Sequence, residues 1–386
     1  MDYNWLNEAE RIAPEITALR RAFHAEPELG NREFATAARI ETFLRGCGVR
    51  TRRMLDTAVV GTLRGALPGP TVALRADMDA LPVTEATGAR FASRTPGVMH
   101  ACGHDVHMAA VLGAAKLLSA HVGELAGSVM FLFEPDEEGS GGAERMIEQG
   151  ALEGVDAVFG CHVSPELPAG HAGVRFGKFY AASDTFCITL TGKSAHGAER
   201  EKGIDALAAA AKLVEALLAL PASLHGERSV VSVGTLRAGT AINVVADKAE
   251  LTGIIRTLGP EARSRMRELL ARTAEAVAAD TGVIAQLDLH ESYPGVVNDD
   301  GMTALVQRGA EKLLGAARVH NLPEPTMTTE DFGVFLQHRP GSFYHLGAGC
   351  AAPLHSPEFL PDQAAAVTGA ALHAAVVTTY LDAYGK

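Results

Sequence analysis

The sequence predicts an α/β protein with a smaller α+β domain inserted into it, and three observations carry that prediction. The chain has 386 residues, more than one ordinary core accommodates. Apolar bursts of strand length alternate with helical stretches in both outer parts of the chain. Between them the middle keeps a different rhythm, β-α-β-β-α-β, that of a compact two-layer unit.

Helical periodicity opens the chain from Leu6 to Phe23 and recurs from Phe34 to Arg45, where Gly46-Cys47-Gly48 breaks it. Val59–Leu63 and Thr71–Arg75 read as strands, and the Ala- and Leu-rich stretch His107–Leu118 as a helix. Ser128–Phe133 and Val155–Gly160 are expected as buried strands around a helix near Glu144–Gln149. This alternation predicts a parallel or mixed sheet with helices on both faces. In the middle, Asp184–Thr191 alternates cleanly, a helix spans Ile204–Leu220, and strands Ser229–Leu236 and Ala249–Thr257 follow. The helix Pro260–Ala279 and the strand Val283–His290 complete that unit. Beyond Pro294 the outer pattern returns, with a helix Met302–Leu314, a strand Ser342–Leu346 and a closing helix Gln363–Leu381. The expected division is therefore an outer domain from residues 1–179 and 291–386, with an inserted domain at 180–290. Gly139–Gly142 reads as a tight turn, since neither a GxGxxG pattern nor a P-loop lysine accompanies it.

Composition narrows the function. A hydrophobic fraction of 47% and a charged fraction of 21% are ordinary for globular chains and set disorder aside. Forty-six acids against 34 Lys and Arg give a net charge of -12 without a basic cluster, which argues against nucleic acid or an anionic membrane surface as partner. No basic segment followed by an apolar core opens the chain, and charges, Gly, Thr or His interrupt each apolar stretch, so a cytoplasmic protein is expected. Five scattered cysteines fit reduced thiols better than a disulfide framework.

Four clusters place potential metal ligands at strand ends or helix starts, where open α/β sheets build their sites. Met99-His100-Ala101-Cys102-Gly103-His104-Asp105 puts a thiol and an imidazole two residues apart; alone it reads equally as a helix-capping turn. Glu134-Pro135-Asp136-Glu137-Glu138-Gly139 leaves a buried strand with four acids in six residues, either a solvated loop or a cation site in which one carboxylate binds and its neighbour moves protons. His162 ends another buried strand, and His355 lies in the proline-fixed loop Pro353–Pro357. Each histidine singly reads as an ordinary core or turn residue. Together, Cys102, His104, Glu138, His162 and His355 make five donors of the right types, enough for two metal sites that share a ligand.

On these segments, and on Phe23-His24-Ala25-Glu26-Pro27-Glu28-Leu29-Gly30, Leu74–Pro82 and Thr329-Glu330-Asp331-Phe332, the chain resembles the aminoacylase, hippurate hydrolase and auxin-conjugate hydrolase family of the dinuclear zinc exopeptidase superfamily. The resemblance implies a mixed-sheet, zinc-exopeptidase-like catalytic domain with a ferredoxin-like lid that also mediates dimerisation. It implies Cys102, His104, Glu138, His162 and His355 as metal ligands and Glu137 as catalytic base. Gly192–Ala198 resembles the lid segment whose histidine contacts the substrate carbonyl, often across a dimer, which makes His196 an oxyanion stabiliser. Asn243 and Arg256 match polar lid residues that face substrate, although a turn cap and a surface strand charge describe them equally well. Where the wider superfamily carries His-x-Asp, this chain has Asp77-Met78-Asp79: Asp77 replaces a ligand, and Asp79 is expected to orient one.

Three positions depart from the pattern. Glu134 and Asp136 stand where relatives carry Gln and a small residue, and Arg200 where proline is common. None removes a ligand or the base. The implied cofactors are two divalent ions per subunit, zinc or manganese, with cobalt and nickel also compatible; the thiolate disfavours magnesium. The implied reaction is hydrolysis of a small N-acyl amino acid. A dipeptidase or carboxypeptidase with the same metals is the nearest alternative, and a catalytically silent dimeric binding protein a more distant one, because it requires a missing ligand or base.

Overall fold

The computed structural model describes residues 3–224 and 226–385. The chain splits into two compact units, one comprising Met1–Gly177, Asn298–Pro323 and Asp331–Lys386, the other Lys178–Val297 and Glu324–Glu330.

The first unit is built on an eight-stranded mixed sheet. Its order is Arg50–Met54, Ala58–Arg64, Ala126–Glu134, Leu67–Asp77, Ala157–Ser164, Gly341–Gly347, Ala172–Val174, Val319–Asn321. The four central strands, from Ala126–Glu134 to Gly341–Gly347, are parallel, so their C-terminal ends share one edge. Along Leu67–Asp77, Val72, Leu74 and Ala76 enter the main core with residues of the helices His104–Ala120 and Gln363–Tyr384. Arg75 and Asp77 alternate onto the opposite face. Gln363–Tyr384 is long and apolar enough to cross a membrane by composition, yet most of it is buried in this core. Ala206–Ser223, in the second unit, meets the same length and hydropathy measure.

Two of the local differences from the sequence reading have a plain physical reason. The expected helix Leu6–Phe23 is two helices, Trp5–Arg11 and Ala13–Ala25, because Pro14 lacks the N–H a continuous helix needs and suits a helix start. Arg50–Met54 is an edge strand in which Arg50 and Arg52 are exposed and the half-buried alternate positions hold Thr51 and Arg53, leaving no apolar alternation to detect.

The second unit has a four-stranded antiparallel sheet ordered Ile284–Glu291, Ala182–Thr191, Lys248–Thr257, Ser229–Ala238. Helices Ala206–Ala219 and Pro260–Thr281 supply Leu213, Leu217, Met266 and Leu270 to a core shared with Ile188, Leu190 and Leu251. The chain order is β-α-β-β-α-β. Arg263 and Arg267 tie the second helix to the first strand through the Asp184 carboxylate.

Candidate metal centre

The shared edge of the parallel strands gathers the chemistry. Leu67–Asp77 delivers Asp77 and Asp79, Ala126–Glu134 runs into the Glu137–Glu138 loop, and Ala157–Ser164 carries His162. Cys161 points into the main core, so His162 projects to the other face. The helix His104–Ala120 begins beside them after Gly103, whose φ of 88° is the left-handed geometry a side chain would resist. His355 arrives from a loop anchored by its own backbone N–H on the Ala101 carbonyl at 2.8 Å.

The five donors named by the sequence converge. Ligand atoms of Cys102, His104 and His162 lie within 4.8 Å of one another, as do those of Cys102, Glu138 and His355 and those of His104, Glu137 and Glu138. Cys102 belongs to two of these sets: its Sγ stands 3.3 Å from His162 Nε2 and 3.3 Å from His355 Nε2. Bond lengths at tetrahedral zinc put a sulfur and a nitrogen ligand of one ion roughly 3.5 Å apart, so these spacings suit shared coordination. His355 Nε2 is also 3.0 Å from Glu138 Oε1.

Hydrogen bonding leaves the required lone pairs available. His162 Nδ1–H donates to the Val163 carbonyl at 2.8 Å, which directs an unprotonated Nε2 at the thiol. Both ring nitrogens of His104, Asp79 Oδ1 and Glu138 Oε1 are buried and form no well-aligned hydrogen bond, although His104 Nδ1 lies beside Asp79 Oδ1 and His355 Nε2 beside Glu138 Oε1. Polar atoms buried with such incomplete hydrogen bonding are costly unless a cation completes them, so the residues present fit a metal pair. Asp79 links two of the donors: its Oδ1 is 3.2 Å from His104 Nδ1 and its Oδ2 accepts the Glu138 N–H at 3.0 Å.

The electrostatics point the same way. Burial raises the Cys102 thiol well above its usual value, and Glu138 and Glu137 add to that. Burial lowers His104, but Asp77 and Asp79 reverse this and hold it up at about 10. Burial raises Glu138, yet His355 and His104 outweigh it and bring the carboxyl down to about 2. The negative charge around Glu138 is thus balanced by the imidazoliums of His355 and His104, a role in which a divalent cation would replace the protons.

Apart from Asp79, sequence reasoning missed the layer behind the donors. His107 lies among metal-type side chains, but both nitrogens are spent: Nδ1 pairs with Asp77 Oδ1 at 2.6 Å and Nε2 accepts the Val163 N–H at 2.9 Å. Arg75 binds Asp77 at 2.8 Å, Glu134 at 2.6 Å and Asp331 at 2.9 Å, all four side chains buried. Asp331 also accepts the N–H groups of Gly142 and Ala143, closing the loop that carries Glu137 and Glu138. The available signal was an arginine inside an otherwise apolar strand, Thr71 to Ala76, which calls for buried partners.

The remaining candidates lie in the second unit. His196 is exposed, its Nδ1 accepts the Ala198 N–H at 3.1 Å, and its segment bridges to Val244, with the Gly197 N–H on the Asn243 carbonyl at 2.7 Å. His196 and Asn243 are therefore neighbours. Arg256 is not with them. The His196 loop leaves Thr191, which pairs with Lys248 at one end of the strand Lys248–Thr257, and Arg256 sits eight residues on, about 27 Å along it. Arg256 Nη1 is buried without a partner. Arg200 is exposed and bonded to Asp205.

Residues 73–379 match the model of peptidase family M20/M25/M40. The chain is 37% identical over 386 residues to thermostable carboxypeptidase 1 of Saccharolobus solfataricus, covering 97% of each chain. It is 36% identical over 360 residues to N-acetyl-L-cysteine deacetylase of Bacillus subtilis, covering 92% of this chain and 86% of that one. Among solved structures, a Bacillus subtilis protein described as a dinuclear metal binding peptidase of the M20 family is 34% identical, with a TM-score of 0.88 over 97% of this chain and 99% of the other. With its family model matched across most of its length and its relatives matched nearly end to end, the chain belongs to peptidase family M20/M25/M40.

Proposed function

We propose that this hydrolase cleaves the amide bond of a small N-acyl amino acid, such as an N-acetyl or N-benzoyl derivative, giving a carboxylate and an amino acid. The observation that carries the reading is the pair of donor sets meeting at Cys102 with Glu137 alongside. The similarity to an N-acetyl-L-cysteine deacetylase supports the substrate class. Similarity to a carboxypeptidase gives a second reading, a dipeptidase or carboxypeptidase with the same centre.

Cys102, His104, Glu138, His162 and His355 would hold two divalent ions, and Asp79 would orient His104 and Glu138 from behind. Ions bound there supply Lewis acidity, which draws the pKa of a water toward neutrality and polarises a carbonyl. Glu137, buried beside Glu138, takes the proton of the attacking water and returns it to the nitrogen, since an amine leaves poorly as an anion. His196 donates to the carbonyl oxygen as it gains charge, and Asn243 and Arg256 bind the polar ends of the substrate. A substrate of a few ångströms cannot reach His196 and Arg256 of one subunit across about 27 Å of strand. That separation supports a homodimer in which one of them comes from a second copy. Five free thiols support a reducing, cytoplasmic location.

The test combines metal analysis with N-acetyl amino acids, N-benzoyl amino acids and dipeptides assayed side by side. Two ions per subunit and faster turnover of the N-acyl compounds are expected. Glu137→Gln should retain both ions and lose at least ~100-fold in kcat. Wild-type turnover by that variant refutes the base, and a preference for dipeptides selects the peptidase reading.

A further inference from the structure

The acid at position 136 departs from the family resemblance, and its surroundings give it a purpose distinct from substrate choice. Asp136 lies in the left-handed region, φ 61°, between the strand ending at Glu134 and the two glutamates Glu137 and Glu138. A non-glycine residue held there is retained only where its surroundings over-determine it. Here they do. Its Oδ2 accepts from Asn31 Nδ2 at 2.6 Å, from the Ser140 N–H at 3.1 Å, from the Ser140 hydroxyl and from Arg145 Nη2 at 3.4 Å. Its carbonyl accepts the N–H of Gly141 at 3.0 Å, and its own N–H donates to buried Glu33 at 3.0 Å.

The partners interlock. Arg145 bonds Asn31 Oδ1 and the Gly141 carbonyl, each at 2.8 Å. Gly30 and Gly139 leave the room the carboxylate occupies, because a Cβ at either would lie 2.0 or 2.2 Å from Asp136 Oδ1. Gly30 and Asn31 sit at the end of the Phe23–Gly30 motif, whose purpose the donor set leaves unexplained. Among the described residues the Asp136 carboxylate joins none of the donor groups.

We propose that Asp136 is a positioning residue: its carboxylate locks the Pro135–Gly142 loop to the Gly30–Asn31 turn and thereby fixes where Glu137 and Glu138 project. The proposal rests on the roles assigned above to those two glutamates. Asp136→Gly deletes the carboxylate while keeping the backbone freedom that φ 61° demands. Asn31→Gly cuts the same lock from the exposed side, at a position whose φ is also 61°.

Both variants and the wild type are titrated with Zn²⁺ against a chromophoric chelator, loaded with Co²⁺ for visible spectra, and assayed on an N-acetyl amino acid at saturating metal. Asp136→Gly should weaken the more labile ion 10–100-fold, the range about expected when a ligand's supporting partner is lost. It should also alter the Co²⁺ bands and lower kcat by roughly tenfold or more, with KM within about threefold. Asn31→Gly should shift each readout the same way by less. Wild-type Zn²⁺ affinity and Co²⁺ bands in Asp136→Gly overturn the proposal, as does a change confined to KM, which would make the carboxylate a substrate contact. If Asp136→Gly fails to fold, Asn31→Gly decides by the same measurements. A wild-type protein that binds no metal and cleaves no amide instead overturns the underlying functional reading.

Discussion

Each unit contains a charged hub, and the two hubs are opposites. In the first unit one cation, Arg75, is ringed by three carboxylates, with all four side chains at 1% exposure or less. In the second, one anion, Asp184, is gripped by Arg263 and Arg267, whose side chains keep 14% and 20% exposure. Burial and the charge of Asp331 push the Glu134 carboxyl well above its usual range, against the pull of Arg75. Burying ions is expensive even when they pair. The second hub carries less of that cost, because its two arginine side chains keep partial exposure. The first tolerates it where the strand end, the Glu137–Glu138 loop and the donor set must be held in one geometry. The placement of each hub, more than its number of bonds, therefore separates a device for precision from a device for docking a helix.

The largest expected effect follows directly. Arg75→Met leaves Asp77, Glu134 and Asp331 without their shared cation, and should lower unfolding stability by about 3–5 kcal/mol. Asp184→Asn keeps the shape of its hub and should cost about 1–2 kcal/mol. Urea unfolding at equal m, with excess Zn²⁺ present for both proteins, reads the two values. An equal or inverted order would dissolve the contrast.

This contrast also marks what the sequence could reveal. Cys102, His104, Glu138 and His162 are legible as candidate ligands because they stand at or just beyond a predicted strand end or helix start, whereas His355, in the Pro353–Pro357 loop, enters the set by its chemistry and by the family resemblance. The β-α-β-β-α-β rhythm is legible because element ends are fixed by local periodicity. Arg75 was visible only as an anomaly, since its partners come from residues 77, 134 and 331, a convergence that no local pattern encodes. The roles of His107 and Asp136 were hidden differently. His107 has the chemistry of a ligand, and only its two hydrogen bonds show that it is occupied with Asp77 and Val163. Asp136 looks like one more acid in an acidic loop until its φ and the glycines packed against it are seen.

A second buried group in the first unit sharpens the comparison through pH. Burial lowers His24, but Asp105 and Glu85 overcome that and raise it to about 9, while burial raises Glu85 and hydrogen bonds from His24, Thr87 and the Ser93 N–H outweigh it and bring it down to about 2. Because the folded pKa of His24 lies above its unfolded value near 6.5, the stability it contributes is complete below pH 6.5 and disappears as pH rises through 9. The loss should be at most roughly 3 kcal/mol. His24→Gln should flatten the stability profile between pH 6.5 and 9 and lie near the high-pH value of the wild type. A variant that keeps the slope would assign the titration to another group.

The smallest effect is expected at the rim of the second hub. Glu291 pairs with Arg267 but is 66% exposed, and the hydrogen bond from Arg267 lowers its carboxyl. Whatever it contributes is present above the unfolded pKa and is lost as pH falls through the lowered one. Solvent and salt screen such a pair, so Glu291→Gln should cost less than about 1 kcal/mol, and less again at high ionic strength. Arg267 would stay in place, because Asp184 still accepts from its Nε at 3.0 Å and its Nη2 at 3.1 Å. Measured beside Arg75→Met under the same conditions, this variant fixes the lower end of the scale. A cost above about 2 kcal/mol would mean that the second hub is shielded from water far more than 14% and 20% exposure implies, and that burial alone does not distinguish the two.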